Sequence, residues 1–223
     1  MEASHAPPRR MRVGDDPLIQ QVSAYSIIQP PRLFKMKQIA EKLDVSGALV
    51  ACGVMNGGAA ALLAAAAPTS GEHRDVWLFD DWDAGAGASK PNPTVDGAHA
   101  YEKWAAKPYG WYRGEPRKAL DILEAVGHPR ERVHIVEEWP DSLQGYNGGP
   151  IALLHVDADL YHPTKASLEA LWPHLVMGGV VIIDDFGTWP GCHLAVHDFL
   201  GYPARVKLRT VDAAARWFIK DRE

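Results

Sequence analysis

Cysteine is scarce in this chain: two in 223 residues, Cys52 and Cys192. They lack the spacing of a zinc site or a redox pair, which excludes a disulfide framework and leaves two buried thiols suited to a reducing compartment. A basic excess is also missing. Lys and Arg number 23 against 28 Asp and Glu, a net charge of -5 with no basic stripe, so no nucleic-acid partner is expected. No long apolar run is present either. Residues 45–71 carry no charge, but Asn56, Gly57 and Gly58 interrupt them and most of the rest is Ala. A spanning helix needs about 20 predominantly apolar residues, so no membrane partner is expected. The N-terminal stretch has no apolar core of a secretory signal, and the expected location is cytoplasmic.

What is present is ordinary for one globular domain: 47% hydrophobic and 23% charged residues, enough to bury a core unaided. Residues 1–24 are expected to be a flexible segment and 25–223 a single domain; nothing in the length or charge opposes a homo-oligomer. Apolar runs of strand length occur at Ala48–Cys52, Val76–Phe79, Val133–Val136, Ile151–Val156 and Val180–Ile183. Helical patterns fill the gaps at Arg32–Leu43, Ala59–Ala67, Ala119–Val126 and Thr164–Leu175. Runs apolar on both faces, alternating with helices, predict an α/β fold: a mostly parallel sheet with helices on both sides. The last two runs, Ala204–Arg209 and Arg216–Ile219, are too close for a helical crossover and predict an antiparallel C-terminal edge.

One segment breaks the alternation. Residues 82–114 hold Trp82, Tyr101, Trp104, Tyr109, Trp111 and Tyr112, six of the chain's 15 Trp and Tyr residues. A long aromatic insertion in a compact domain predicts a substrate-facing lid.

Two constellations carry chemistry. The first strand ends in Gly53-Val54-Met55-Asn56-Gly57-Gly58 and a helix follows. Glycines admit close approach to the backbone, and the free N–H groups of a helix N-terminus suit an anionic group. Asp80 ends the next strand, 23 residues after Gly57, where an acid accepts ribose hydroxyls. Met55 replaces the second glycine of the dinucleotide fingerprint, which disfavours a nicotinamide enzyme. The second constellation is acidic. One strand runs into Asp157-Ala158-Asp159, the next into Asp184-Asp185. Neighbouring parallel strands would bring Asp157, Asp184 and Asp185 together, and crowded carboxylates repel unless protonated or bound to a cation. Oxygen ligands alone suit Mg²⁺, Mn²⁺ or Ca²⁺. Asp159 is expected to cap a helix. His155 is expected to pack, and His193 and His197, four apart, form at most a weak ligand pair. The Asp-x-Asp pair also admits a phosphohydrolase of the haloacid-dehalogenase type, although that motif belongs on a first strand, and the glycine turn admits a non-catalytic adenosine-binding module.

The run Asp157-x-Asp-x-Tyr161, Thr164, Leu168-Glu169, Gly178-Gly179, Ile182-Ile183-Asp184-Asp185 and Trp189-Pro190-Gly191-Cys192, with Cys52-Gly53-Val54, Phe79-Asp80 and Pro31-Arg32-Leu33, resembles the macrocin O-methyltransferase family. The resemblance implies a Rossmann-like class I methyltransferase fold and an enzyme that uses S-adenosylmethionine and Mg²⁺ (or Mn²⁺) to methylate a small-molecule acceptor, a sugar or catechol hydroxyl. It implies Asp157, Asp184 and Asp185 as metal ligands, and Asp157 as catalytic base. It implies cofactor contacts at Gly53, Val54, Asn56, Gly57, Gly58, Asp80, Glu138 and Trp139. The chain departs from the family pattern at Ala51, where an acid is usual, and at Ala59, Pro140, His193 and His197.

Overall fold

Successive residues of a strand face opposite sides of a sheet, so a strand buried on both sides needs a cover on each. The computed structural model, which describes residues 13–69, 71–82, 90–106 and 113–221, supplies both covers. Seven strands form one sheet: β1 (Ala48–Cys52), β2 (Val76–Phe79), β3 (Val133–Val136), β4 (Ile151–Val156), β5 (Leu175–Ile183), β6 (Arg209–Thr210) and β7 (Arg216–Ile219). Their order is β3-β2-β1-β4-β5-β7-β6. The first five are parallel; β7 pairs antiparallel with both β5 and β6. The α/β fold and the antiparallel C-terminal edge are therefore as the sequence pattern implies.

Leu49, Ala51, Leu153 and Ile182 face one core, with α1 (Pro17–Ser23), α2 (Pro30–Ala40), α3 (Gly58–Ala66) and α5 (Pro116–Ala125). Val50, Cys52, Leu154, Val181 and Ile183 face the other, under α6 (Tyr161–Leu171) and α7 (Pro190–Leu200). Full burial of each large aliphatic side chain is worth ~1.5–3 kcal/mol, so this alternation fixes the register.

Three local expectations change. The segment 1–24 is not flexible throughout: residues 1–12 lie outside the described part, but Pro17–Ser23 is helical and buries Ile19 and Val22 in the core. Asp16 caps this helix, accepting from the amides of Leu18 (3.0 Å) and Ile19 (3.3 Å). The run Ala204–Arg209 supplies a strand only at its end, Arg209–Thr210. Val206 turns into the core instead, and the Arg205 guanidinium lies against Phe199 and Trp172. Asp159 does not cap α6, because its φ is +53° and Asp96 does the capping, accepting from the Tyr161 amide at 2.6 Å.

Of the six aromatic residues in the insertion, Trp82, Tyr101 and Trp104 fall within the described residues, and Tyr109, Trp111 and Tyr112 lie outside them. Trp82 is a core residue. Within the insertion, Ala98–Ala106 forms α4. Among the described residues no helix is long and apolar enough to cross a membrane.

Candidate active site

The strand order reverses between β1 and β4, and the crevice outside their carboxyl ends is where open α/β sheets take ligands. Gly53 follows β1 there and Asp157 follows β4. Gly53 has φ +80°, and a Cβ would sit on the carbonyl oxygen of Asp157, so only glycine lets the two strand ends close together. A cavity of about 300 Å³ opens beside them, lined by Gly53, Val54, Asp80, Trp139 and the acidic residues among others. That is the lower end of the range for small-molecule sites.

Asp80 reaches into this cavity and also holds the turn. Its Oδ2 accepts from the amides of Val54 (2.6 Å) and Met55 (2.7 Å). Burial raises its pKa, and the amides of Met55 and Val54 work the other way. Trp139 lines the cavity too, with its Nε1 donating to Ser167 Oγ at 3.1 Å.

Four of the proposed cofactor contacts sit elsewhere. Asn56 Oδ1 accepts from the Glu115 amide at 3.1 Å and so holds the start of α5. Gly57 and Gly58 serve packing: a Cβ on Gly57 would meet Ala119 Cα at 2.6 Å, and one on Gly58 the Val22 carbonyl at 2.6 Å. Their amides, expected to be free for an anion, bond to the carbonyls of Val54 and Tyr25. Glu138 is exposed and outside the cavity.

The three acids do converge. One carboxylate oxygen from each of Asp157, Asp184 and Asp185 lies within 4.8 Å of the others, with Asp184 and Asp185 buried and Asp157 partly so. Burial, and then the charges of Asp184 and Asp185, push the Asp157 pKa well up; burial and the Asp185 charge do the same for Asp159. Asp185 is raised by burial and by Asp184. Buried Asp184 Oδ1 has no hydrogen-bond partner among the described residues. Hard oxygen donors, mutual repulsion and an orphaned acceptor fit a divalent cation. The histidines do not join them. His155 is buried, its Nε2 3.8 Å from Asp184 Oδ1, and the His193 and His197 rings pack 4.6 Å apart beside Phe186.

Sequence reasoning missed one wall. Tyr25 to Gln29, between α1 and α2, line the cavity, and Arg32 joins them. Arg32 Nη1 donates to Asp184 Oδ2 at 2.5 Å and its Nε to Asp212 Oδ2 at 2.7 Å. A signal was available: a cation in the first turn of a helix opposes the helix dipole by ~0.3–1 kcal/mol, so Arg32 needed an anionic partner. The insertion supplies another missed contact. His99 of α4 stacks on Trp189, centroids 6.2 Å apart, and Lys103 Nζ lies 4.7 Å from the Trp189 ring centroid. Trp189 lines the cavity.

A family model for macrocin-O-methyltransferases (TylF) matches residues 2–220, a span that takes in the Asp80 turn and all three acids. The chain belongs to the macrocin-O-methyltransferase family. It is 30% identical over 186 residues to the 8-demethyl-8-(2,3-dimethoxy-α-L-rhamnosyl)-tetracenomycin-C 4′-O-methyltransferase of Streptomyces olivaceus, covering 80% of this chain and 68% of that one. It is 29% identical over 188 residues to the demethyldecarbamoylnovobiocin O-methyltransferase of Streptomyces niveus, covering 79% and 68%. The solved O-methyltransferase NovP matches with a TM-score of 0.75 at 25% identity, over 89% of this chain and 83% of that chain. Family and relatives are O-methyltransferases, so the phosphohydrolase, nicotinamide and non-catalytic readings of these motifs fall away.

Proposed function

We propose that this macrocin-O-methyltransferase family member transfers a methyl group from S-adenosylmethionine to a hydroxyl of a glycosylated or aromatic natural product, with a divalent cation, Mg²⁺ or Mn²⁺, held by Asp157, Asp184 and Asp185. The observation that carries this reading is a single cavity with the Asp80-held turn on one side and the three converging carboxylates on the other.

S-adenosylmethionine supplies a methyl made electrophilic by its sulfonium. A cation at the three acids supplies an acidified, oriented hydroxyl. The chain does the rest. Asp80 fixes the turn and offers its carboxylate to ribose hydroxyls. Trp139 gives a flat apolar wall for the adenine. Asp157, at the edge of the cavity beside the other acids, takes the proton as general base. Asp159, whose amide lies 3.4 Å from Asp185 Oδ2, is a further carboxylate in the cavity beside the three converging oxygens and is the rival for that role. Trp189, with α4 over it, forms the acceptor's apolar side. Fixing the acceptor oxygen in line supplies up to ~7–11 kcal/mol of the barrier.

Two neighbouring oxygens chelate a cation better than one, so the acceptor hydroxyl has an oxygen beside it. A vicinal diol or catechol is the simplest case. The tetracenomycin relative, by name, methylates O-4′ of a sugar already methylated at O-2 and O-3. A hydroxyl beside an ether oxygen therefore belongs in the same class of candidates. The buried free thiols of Cys52 and Cys192 suit a reducing cytoplasm.

The test is methyl transfer to a panel of rhamnosides and catechols, before and after exhaustive chelation. Activity abolished by chelator and restored by Mg²⁺ or Mn²⁺ is the expected result. Full activity in chelator removes the cation from the reading.

A further inference from the structure

We infer that Arg32 is a positioning residue that makes Asp184 a one-oxygen ligand, with Asp212 as its brace. The inference rests on the cation reading of the acidic trio and adds residues from two other parts of the chain.

Arg32 stands in the first turn of α2, 152 residues before Asp184. Its guanidinium is a fork. Nη1 donates to Asp184 Oδ2 at 2.5 Å and approaches the Asp184 carbonyl at 3.4 Å; Nε donates to Asp212 Oδ2 at 2.7 Å. Burial works against the Arg32 charge, but Asp184 and Asp212 outweigh it and hold the group above its ordinary range. Asp212 is itself fixed, because its Oδ1 accepts from the amides of Ala214 (2.9 Å) and Ala215 (2.8 Å) in the β6–β7 connection. The fork thus has a rigid anchor on one prong and a carboxylate of the trio on the other.

The consequence falls on the other oxygen of Asp184. With Oδ2 occupied, Oδ1 is left buried, 3.8 Å from His155 Nε2 and without a hydrogen-bond donor among the described residues, on a carboxylate that brings one oxygen to the cluster with Asp157 and Asp185. A carboxylate held this way cannot rotate to chelate with both oxygens, and its free oxygen is aimed before any cation arrives. Partners outside a metal's own ligands commonly set ligand orientation in this manner.

A different role makes the opposite prediction. If Arg32 were only a positive counterweight to the acids, removing it would make the site more negative and tighten cation binding. Positioning requires that removal loosen it.

The experiment is Mn²⁺ titration of the full chain without cofactor, read by the electron paramagnetic resonance signal of free Mn²⁺. Arg32→Gln is expected to raise the dissociation constant about 10–100-fold, the usual effect of losing such a partner. Arg32→Lys should stay weakened, because a compact ammonium keeps the charge but not the fork. Equal or tighter binding in Arg32→Gln, or wild-type affinity in Arg32→Lys, overturns the inference. Thermal unfolding in chelator checks that each variant folds. If Arg32→Gln does not, Asp212→Asn serves: it keeps an acceptor for the Ala214 and Ala215 amides and removes only the charge that braces Arg32. A smaller loss in the same direction supports the brace, and no change overturns it. A wild-type chain that takes up no Mn²⁺ sinks the cation reading itself, an outcome distinct from all of these.

Discussion

Two places in this molecule bury carboxylates, and they treat them oppositely. At the start of α1, Asp16 is 2% exposed, yet each of its oxygens has donors. Oδ1 accepts two amides and Oδ2 accepts Lys37 Nζ at 2.6 Å. Burial alone would raise its pKa; Lys37 and the Ile19 and Leu18 amides reverse the sign and lower it. At the ends of β4 and β5, Asp157, Asp159 and Asp185 face burial with mostly other acids for company, and all three are raised. Arg32 brings a cation to this group but spends it on Asp184 Oδ2, and the charge of Lys103 works against the rise at Asp159 without reversing it. Burial is common to both places, so the donors decide the sign. A folded chain that leaves acids uncompensated has kept a potential for something else to neutralise, which is why such a cluster marks a site and a well-satisfied acid marks a cap.

The strongest way to break that comparison is to remove one acid from each place. Asp157→Asn keeps the shape and one acceptor but loses charge and basicity. Methyl transfer at saturating S-adenosylmethionine and Mg²⁺ should fall by more than the ~10²–10⁴ of a lost general base. Asp159→Asn should do much less. If Asp159→Asn is dead and Asp157→Asn near normal, the proton goes to Asp159 and Asp157 is a ligand only.

Asp80 comes next in size and lies between the two extremes, since it is raised by burial yet holds two amides. Asp80→Ala loses the turn's anchor and the proposed ribose contact together. Bonds to a charged group are worth ~1.5–3 kcal/mol each, so calorimetry should show S-adenosylmethionine binding weakened about tenfold or more. Asp80→Asn retains an acceptor for Val54 and Met55 and separates the two losses. If the alanine variant binds the cofactor normally, Asp80 is an anchor for the turn and nothing more.

These residues were legible in the sequence to very different degrees. Strands β1 and β4, buried at every position, coincide with their apolar runs because such a run ends where burial ends, and β2 and the half-buried edge strand β3 coincide with theirs as well. The acids that follow β4 and β5 were legible for the same reason, since two adjacent strand ends leave them nowhere else to go. Gly57 and Gly58 misled: glycine reports room for close approach, and the neighbours that approach are α5 and the α1–α2 segment. Asp16 and α1 were hidden because a helix whose cap and cation partner lie outside it looks like a polar tail. Arg32 and Asp96 were hidden by separation, as each meets its partner across 65 or more residues.

A third prediction uses pH on the chelated chain. Where folded pKa values are raised, the folded state holds more protons than the unfolded one, so stability falls as pH rises from the ordinary carboxylate range. Thermal unfolding in chelator from about pH 4.5 to about pH 7.5 should show a falling midpoint from these acids. Asp157→Asn should flatten that fall, and Mg²⁺ should offset it in the wild type. An identical profile in wild type and variant would mean that the acids are already neutralised by groups within the fold.

The smallest effect belongs to Asp16, and its sign is the reverse. Its folded pKa lies below the ordinary 3.8, so its stabilisation is fully present above that value and disappears as pH falls through the folded pKa. Asp16→Ala removes cap and ion pair at once and should cost roughly 0.5–2 kcal/mol at neutral pH, the usual range for a lost cap. Asp16→Asn keeps an acceptor for Leu18 and Ile19 and loses only the charge facing Lys37, so it should cost less. In acid the wild-type carboxyl takes up its proton and becomes as neutral as the asparagine. Urea unfolding of wild type and Asp16→Asn should therefore show a gap at neutral pH that closes as the pH drops. A gap of constant size would mean that the Lys37 pair contributes through packing alone, and that Asp16 differs from the acids at β4 and β5 in its hydrogen bonds but not in its charge.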